Sequence, residues 1–226
     1  MSTKTNTKSN VLTHRKLTGK VQEPSPKKDI NDYPTPPWFM EKLEGILEPI
    51  LALRSLNTVD VCCSDRNKKY PIGLTANGIS CTAKTRKKLI NDGVRVRKSG
   101  LEILWHKICS VCWMAAPYNN GLQKEFVQKA VIEAEAGVIT VGLVQSNVDT
   151  KWFQEFIEYN KDCVFIHLQG RLRYLGADNQ PSFGNTVVIF GIQTIPDSMR
   201  QEIRKMLKDQ TKHVNAYNNA YNNKVA

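Results

Sequence analysis

Three short stretches set groups capable of chemistry where a chain changes direction. In Thr58-Val-Asp-Val-Cys-Cys63 the carboxylate of Asp60 interrupts an apolar run of the kind that forms a buried strand. In Ile108-Cys-Ser-Val-Cys-Trp-Met114 a second such run passes through Ala115 and Ala116, then breaks at Pro117 into Tyr118 and the turn formers Asn119, Asn120 and Gly121. Residues 84–98, KTRKKLINDGVRVRK, set Lys84, Arg86, Lys87, Lys88, Arg95, Arg97 and Lys98 against the single acid Asp92. Cations at that density suit phosphate contacts from a hairpin or a helix–turn, with NDG as the turn signal; a solvated loop is the plain alternative.

Other chemistries find no support. Neither G-x-G-x-x-G nor G-x-x-x-x-G-K-[ST] occurs, so neither a standard dinucleotide site nor a P-loop is signalled. His14 and His213 lie near the ends and His106 and His167 are isolated, which points to structural or exposed histidines. Of the 6 cysteines, Cys62 and Cys63 are adjacent, Cys81 and Cys163 have no ligand-like neighbours, and only Cys109-x-x-Cys112 has metal-like spacing. If that segment is a strand, its two thiols point to opposite faces. Reduced cysteines and no metal are expected, as in a cytosolic protein.

The elements that would carry these stretches follow from the apolar pattern. Thr35 can N-cap a helix with Pro36 in its first turn, followed by Met40, Leu43, Ile46, Leu47, Ile50 and Leu51 at helical spacing. Strands are expected in TVDVCC, near 108–114, in VITVGLV, in CVFIH and in TVVIFG. Helices are expected near 122–136, after Asp149 or Thr150, and near 197–212. Continuous apolar strands alternating with helices indicate an α/β domain: one doubly wound, mainly parallel sheet covered on both faces. In such sheets ligands bind beyond the carboxyl ends of the strands, where DVCCSD and WMAAPY lie.

At 226 residues and 41% hydrophobic composition, one main domain is expected, over 31–213. Residues 1–30 read as a disordered basic arm and 214–226, rich in Asn and Tyr, as a low-complexity tail. The net charge of +11 is concentrated in both ends and in 84–98, which suggests a polyanionic partner. No apolar run reaches the roughly 18 residues of a membrane span and the first thirty residues lack a signal peptide's apolar stretch, so a cytoplasmic protein is expected, with a monomer as default.

Six segments together carry a resemblance. DYPTPPWFMEKL, VDVCCSDRNKKY, VCWMAAPYNNG, DTKWFQEFI, QGRLRYLG and PSFGNTVVIFG are similar in order and spacing to the phage-type DNA N6-adenine methyltransferases, over roughly 32–195. The resemblance implies a Rossmann-like methyltransferase sheet, S-adenosylmethionine as methyl donor and adenine in double-stranded DNA as acceptor. Tyr33, Thr35 and Pro36 then resemble the first donor-contacting segment. Asp60 resembles the carboxylate that anchors the donor's amino-acid end, with Val61, Cys62 and Asn67 lining the same pocket; capping a helix is the other role open to Asp60. The residues of 84–98 and Arg171 would face DNA, although Arg171 and Arg173 in GRLRY equally suit a structural turn.

The catalytic tetrapeptide implied by the family is Asn-Pro-Pro-Tyr or Asp-Pro-Pro-Tyr, and Ala115-Ala116-Pro117-Tyr118 stands in its place. Adenine's amino nitrogen is a poor nucleophile because its lone pair is delocalised. The enzyme must therefore accept its hydrogens on a side-chain oxygen and a main-chain carbonyl while an aromatic stacks on the flipped base. Tyr118 keeps the aromatic and Ala116 a carbonyl, but Ala115 has no side-chain acceptor. Ser99, in KSGLEILW, stands where the family usually has Asp in the donor-adenine pocket. The expectation is reduced or absent turnover, and the alternative function is a non-catalytic DNA-binding or decoy module; RNA or protein methylation is a third.

Overall fold

The structure is a computed structural model and describes residues 33–51, 57–64, 67–76, 78–94, 99–118, 121–193, 195–211, 214, 217 and 218. The N-terminal arm, Arg95, Arg97, Lys98, Asn119 and Asn120 lie outside the described residues.

Helix α1 (Pro37–Leu51) leads into β1 (Val59–Asp60), β2 (Ile72–Thr75), β3 (Gly78–Ser80) and α2 (Ala83–Asn91). After a 3-10 turn at Trp105–Lys107 come β4 (Val111–Met114), α3 (Leu122–Glu135) and β5 (Ile139–Gln145). The helical turn α4 (Lys151–Phe153) passes into a π-helical turn, Gln154–Glu158, followed by β6 (Cys163–His167), β7 (Asn185–Phe190) and α5 (Asp197–Thr211). The seven strands form one sheet in the order β3-β2-β1-β4-β5-β7-β6. β2, β1, β4 and β5 pair in parallel, and β7 runs antiparallel between β5 and β6, so five strands point one way while β3 and β7 oppose them. The α/β fold with one mainly parallel sheet is thus the one the apolar pattern requires.

Strand alternation divides the core into two layers. Val111 and Trp113 face α1 and α5, packing with Leu43, Leu47, Ile203 and Leu207. Cys112 and Met114 face the other way, onto Phe126, Val127 and Ala130 of α3 and Phe153 and Ile157 of the α4 turn. Both faces are buried, which is why the strands read as continuous apolar runs rather than alternating ones.

Three details differ from the expectations. The α1 cap falls one residue late: the Pro36 carbonyl accepts the Phe39 and Met40 N–H groups at 3.1 and 3.2 Å, and Pro37 takes the first helical position, where its missing N–H costs nothing. Cys109 precedes β4 rather than lying within it, so strand alternation does not separate it from Cys112; both thiols join the same core layer, Cys109 against the Trp105 carbonyl at 3.5 Å and Cys112 against the Thr140 hydroxyl at 3.1 Å. The expected tail at 214 is also packed at its start. Val214 is buried, Tyr217 stacks on Trp38 with ring centroids 5.3 Å apart, and buried Asn218 bonds the Arg171 carbonyl at 2.8 Å and the Arg173 N–H at 3.4 Å. No helix among the described residues is long and apolar enough to cross a membrane.

Candidate active site

From β1 the sheet grows one way through β2 and the other through β4, so the gap between the ends of β1 and β4 is where the connections part. A ligand crevice opens at such a switch point. Asp60 and Trp113 are partners in register there, and the Val61 N–H extends the ladder to the Trp113 carbonyl at 2.9 Å. The two turns that leave the sheet, after Asp60 and after Met114, therefore lie side by side.

Between them is a cavity of ≈ 290 Å³, lined by Tyr33 and Thr35 ahead of α1, by Asp60, Cys62 and Asn67, and by Ala115, Ala116, Pro117 and Tyr118. Beside it a second cavity of ≈ 430 Å³ is lined by Ser99, Gly100, Leu101, Leu122 and Phe126, and shares Cys62, Asn67, Ala115 and Pro117 with the first. Ala115 thus forms part of the wall between two chambers. Ser99 is held in the second by its neighbour: a Cβ on Gly100 would fall 2.0 Å from the Val61 carbonyl oxygen, so only glycine lets this turn sit against the end of β1. The buried Trp105 indole N–H ties down the Gly100 carbonyl at 2.8 Å. Pro36 and Val61 line neither cavity; both are buried beneath the site.

Asp60 is 2% exposed. Its Oδ2 accepts the Lys69 main-chain N–H at 2.9 Å, while its buried Oδ1 has no hydrogen-bond partner among the described residues. Burial raises its pKa to about 7, against the opposing pull of the Lys69 and Cys62 main-chain N–H groups and the Lys69 and Lys68 ammoniums. A buried carboxylate oxygen left unpaired is costly unless a cationic or donor group meets it. Asn67 is committed to its own turn: its Oδ1 accepts the Ser64 N–H at 2.7 Å and its N–H is taken by Ser64 Oγ at 3.2 Å.

Tyr118 is fixed from behind. Its hydroxyl bonds the Tyr174 hydroxyl, and the Asn185 amide nitrogen donates to Tyr118 at 3.3 Å and to Tyr174 at 3.0 Å. Phe183 meets its ring at 4.6 Å between centroids, inclined at 63°. Burial pushes the Tyr118 phenol up to about 12 and the Tyr174 phenol well above its usual value, so both stay protonated at neutral pH. Lys69, Tyr174, Phe183 and Asn185 were not among the expected site residues, although each lies in or beside a segment that carries the resemblance. Asn185 reaches the site because β7 runs antiparallel: its first residue pairs with Gln145, the last of β5, at the sheet edge where β1 and β4 end.

The described part of the basic stretch, 84–94, takes the helix–turn form. Thr82 caps α2 by accepting the Thr85 N–H at 3.3 Å, and Lys84, Lys87 and Lys88 are exposed on it at spacings that share a face. Arg86 differs, because its guanidinium donates to the Ile79 carbonyl at 2.8 Å and ties α2 to β3. Arg171 is exposed, while Arg173 donates to the Ala177 and Asp178 carbonyls, both at 3.2 Å, and so shapes the loop that follows.

A family model, described as DNA N-6-adenine-methyltransferase (Dam), matches residues 78–214. That span takes in Ser99, the Ala115–Tyr118 turn, Tyr174 and Asn185, and begins after Tyr33 and Asp60. No curated protein matches the chain. With more than half of its length matched, from β3 to just past the end of α5, and with the matched turn seated at the switch point of a mainly parallel sheet, the chain belongs to the DNA N-6-adenine-methyltransferase (Dam) family.

Proposed function

We propose that this protein binds S-adenosylmethionine and directs its methyl group to the amino nitrogen of an adenine extruded from double-stranded DNA, at a rate limited by the loss of an acceptor at position 115. One observation carries the reading: Asp60, whose buried Oδ1 has no hydrogen-bond partner among the described residues, lines the same cavity as the Ala115–Tyr118 turn. The residues present fit the donor, since an unpaired buried carboxylate oxygen suits its ammonium end, and the Ser99 chamber, with Leu101, Leu122 and Phe126, suits a flat nucleoside. When bound, the donor supplies an electrophilic methyl on a sulfonium that leaves as a thioether.

The protein's own residues do the rest. Asp60 holds the ammonium, Tyr118 offers a ring face to the base, and the Ala116 carbonyl accepts one amino hydrogen as positive charge grows on the nitrogen. Ala115 has no oxygen for the other. Removing one such preorganised group typically costs about 10²–10³ in rate. Lys84, Lys87 and Lys88 on α2, with Arg171, supply exposed cations for DNA phosphates.

Ala115 also favours the second reading, a protein that binds donor and DNA without turnover. Transfer of labelled methyl groups to unmethylated DNA, with digestion of the product to nucleosides, decides between them. N6-methyladenine above a protein-free control supports the enzyme. Donor and DNA binding with no product supports the non-catalytic reading, and label in RNA or protein alone overturns both.

A further inference from the structure

Tyr217 and Asn218 lie beyond the family match, which ends at 214, yet each grips a segment that leads into the ≈ 290 Å³ cavity. The Tyr217 ring meets Trp38, in the first turn of α1, at 5.3 Å between centroids, and the Lys42 ammonium sits over the same ring at 4.1 Å. Asn218 is 3% exposed and turns its amide to a stretch that belongs to no strand: Nδ2 donates to the Arg171 carbonyl at 2.8 Å and Oδ1 accepts the Arg173 N–H at 3.4 Å. The reverse orientation of the amide would set donor against donor and acceptor against acceptor.

Both gripped segments form cavity wall. Tyr33 and Thr35, just ahead of Trp38, line the cavity, as does Tyr174, next to Arg173. The Arg173 side chain carries the hold further by donating to the Ala177 and Asp178 carbonyls, and Ala177 and Asn179 line the cavity as well. The two segments also meet directly, where the Leu175 N–H donates to the Pro34 carbonyl at 3.0 Å. Three contacts thus close a ring: Pro34 with Leu175, Trp38 with Tyr217, and Arg171 and Arg173 with Asn218. One main-chain bond contributes only about 1 kcal/mol net, so the pair at 217 and 218 braces a junction that would open readily without it.

We propose that Tyr217 and Asn218 form a clasp, two positioning residues that hold the segment ahead of α1 and the 171–179 wall at the spacing the cavity needs to bind its ligand. The inference rests on the reading of that cavity as the seat of the donor's ammonium end, and adds to it that donor affinity is set in part by a segment outside the family match. Neither side chain lines the cavity, so the effect passes through the segments they hold. Without the clasp, ordering those segments would draw on the free energy of binding.

The test is the affinity for S-adenosylhomocysteine, measured by calorimetry well below the melting temperature of every variant. A merely structural contact moves the melting temperature but not the affinity of protein that stays folded. Tyr217→Ala and Asn218→Ala should each weaken binding by about 5- to 10-fold, the scale of one ring contact or hydrogen bond. Tyr217→Phe keeps the ring on Trp38 and should bind as the unaltered protein does. Gln193→Ala removes a bond to the Ala134 carbonyl at 2.8 Å beyond the end of β7, at the opposite end of the sheet, and should also leave affinity unchanged. The inference is overturned if either alanine variant at 217 or 218 binds as the unaltered protein does, or if Tyr217→Phe or Gln193→Ala weakens binding as much as they do. Should Asn218→Ala fail to fold, Tyr217→Ala and Tyr217→Phe decide alone. Equal binding by all variants removes the clasp and leaves the donor reading standing, whereas no binding by the unaltered protein overturns both.

Discussion

Lys69 hydrogen-bonds Asp60 through its main chain and not through its ammonium: its N–H donates to Asp60 Oδ2 at 2.9 Å, while its ammonium donates to the Thr35 carbonyl at 2.8 Å. The nearby ammonium is thus engaged with the segment ahead of α1, and Asp60 Oδ1 has no hydrogen-bond partner among the described residues. Burial lowers the Lys69 pKa, with Asp60 and Glu44 acting in the opposite direction.

The first prediction follows from the sign of the change at Asp60. Its folded pKa lies near 7, above its ordinary 3.8, so folding takes up a proton between those values. Asp60 therefore lowers stability as pH rises from about 4 to about 7, by about 1.4 kcal/mol for each pH unit of that interval and a few kcal/mol in all. Asp60→Asn should flatten this dependence and raise the melting temperature of the free protein at pH 8. The same substitution should abolish the donor-induced rise in melting temperature, because a ligand bound only to the native state stabilises it. Stabilisation of Asp60→Asn by donor equal to that of the unaltered protein would remove Asp60 from the site.

Donor affinity should follow the same titration in the opposite direction. An ammonium favours the ionised carboxylate, so binding releases a proton below the free-state pKa of about 7, and affinity should drop about tenfold from pH 8 to pH 6. Calorimetry in buffers of different ionisation enthalpy reads the proton directly. Affinity independent of pH over that range contradicts the role given to Asp60.

On α2 the exposed lysines and Arg86 should separate by experiment. Replacing Lys84, Lys87 and Lys88 by Ala should flatten the slope of log K for DNA against log salt by roughly 2–3 units, at about 0.9 per phosphate contact. Arg86→Ala should act mainly on stability, through its bond to the Ile79 carbonyl. An unchanged slope in the triple variant would assign DNA affinity to other cations of the chain.

Asn218 should matter more than its place in an Asn- and Tyr-rich segment suggests. Its side chain is 3% exposed and serves both the Arg171 carbonyl and the Arg173 N–H. Asn218→Ala should destabilise by about 1–3 kcal/mol, the cost of leaving buried polar groups unpaired, measured by denaturant unfolding. A change below a few tenths would mean that water replaces the amide.

The legible parts of the fold were those whose packing is visible along the chain. β4 to β7, α3 and α5 have apolar runs or helical spacing long enough to read. β1 has two residues in the ladder, and the β2–β3 hairpin has strands of four and three, too short for a period to emerge. α2 buries only Leu89, so it has no apolar stripe, and its basic composition fits a hairpin as well as a helix–turn. At the site, Asp60 and the Ala115–Tyr118 turn could be found because each ends an apolar run. Tyr174 and Asn185 could not, because they meet Tyr118 across 56 and 67 residues through the direction of β7 and side-chain bonds that no local pattern encodes. The Tyr217 contact with Trp38 likewise depends on α1 and the segment after α5 covering the same face of the sheet.

The central claim is that the missing side-chain acceptor at position 115 limits methyl transfer. Steady-state transfer from labelled S-adenosylmethionine to unmethylated DNA, compared between the protein and its Ala115→Asn, Ala116→Pro variant, tests it most directly. The asparagine restores a side-chain oxygen, and the proline fixes its own φ near roughly −65° and with it the direction of its carbonyl. An acceptor that acts mainly in the transition state raises turnover more than ground-state binding, so kcat should rise by about 10²–10³ while donor affinity stays nearly constant. A variant that binds donor and DNA as before yet gains no turnover would contradict the account.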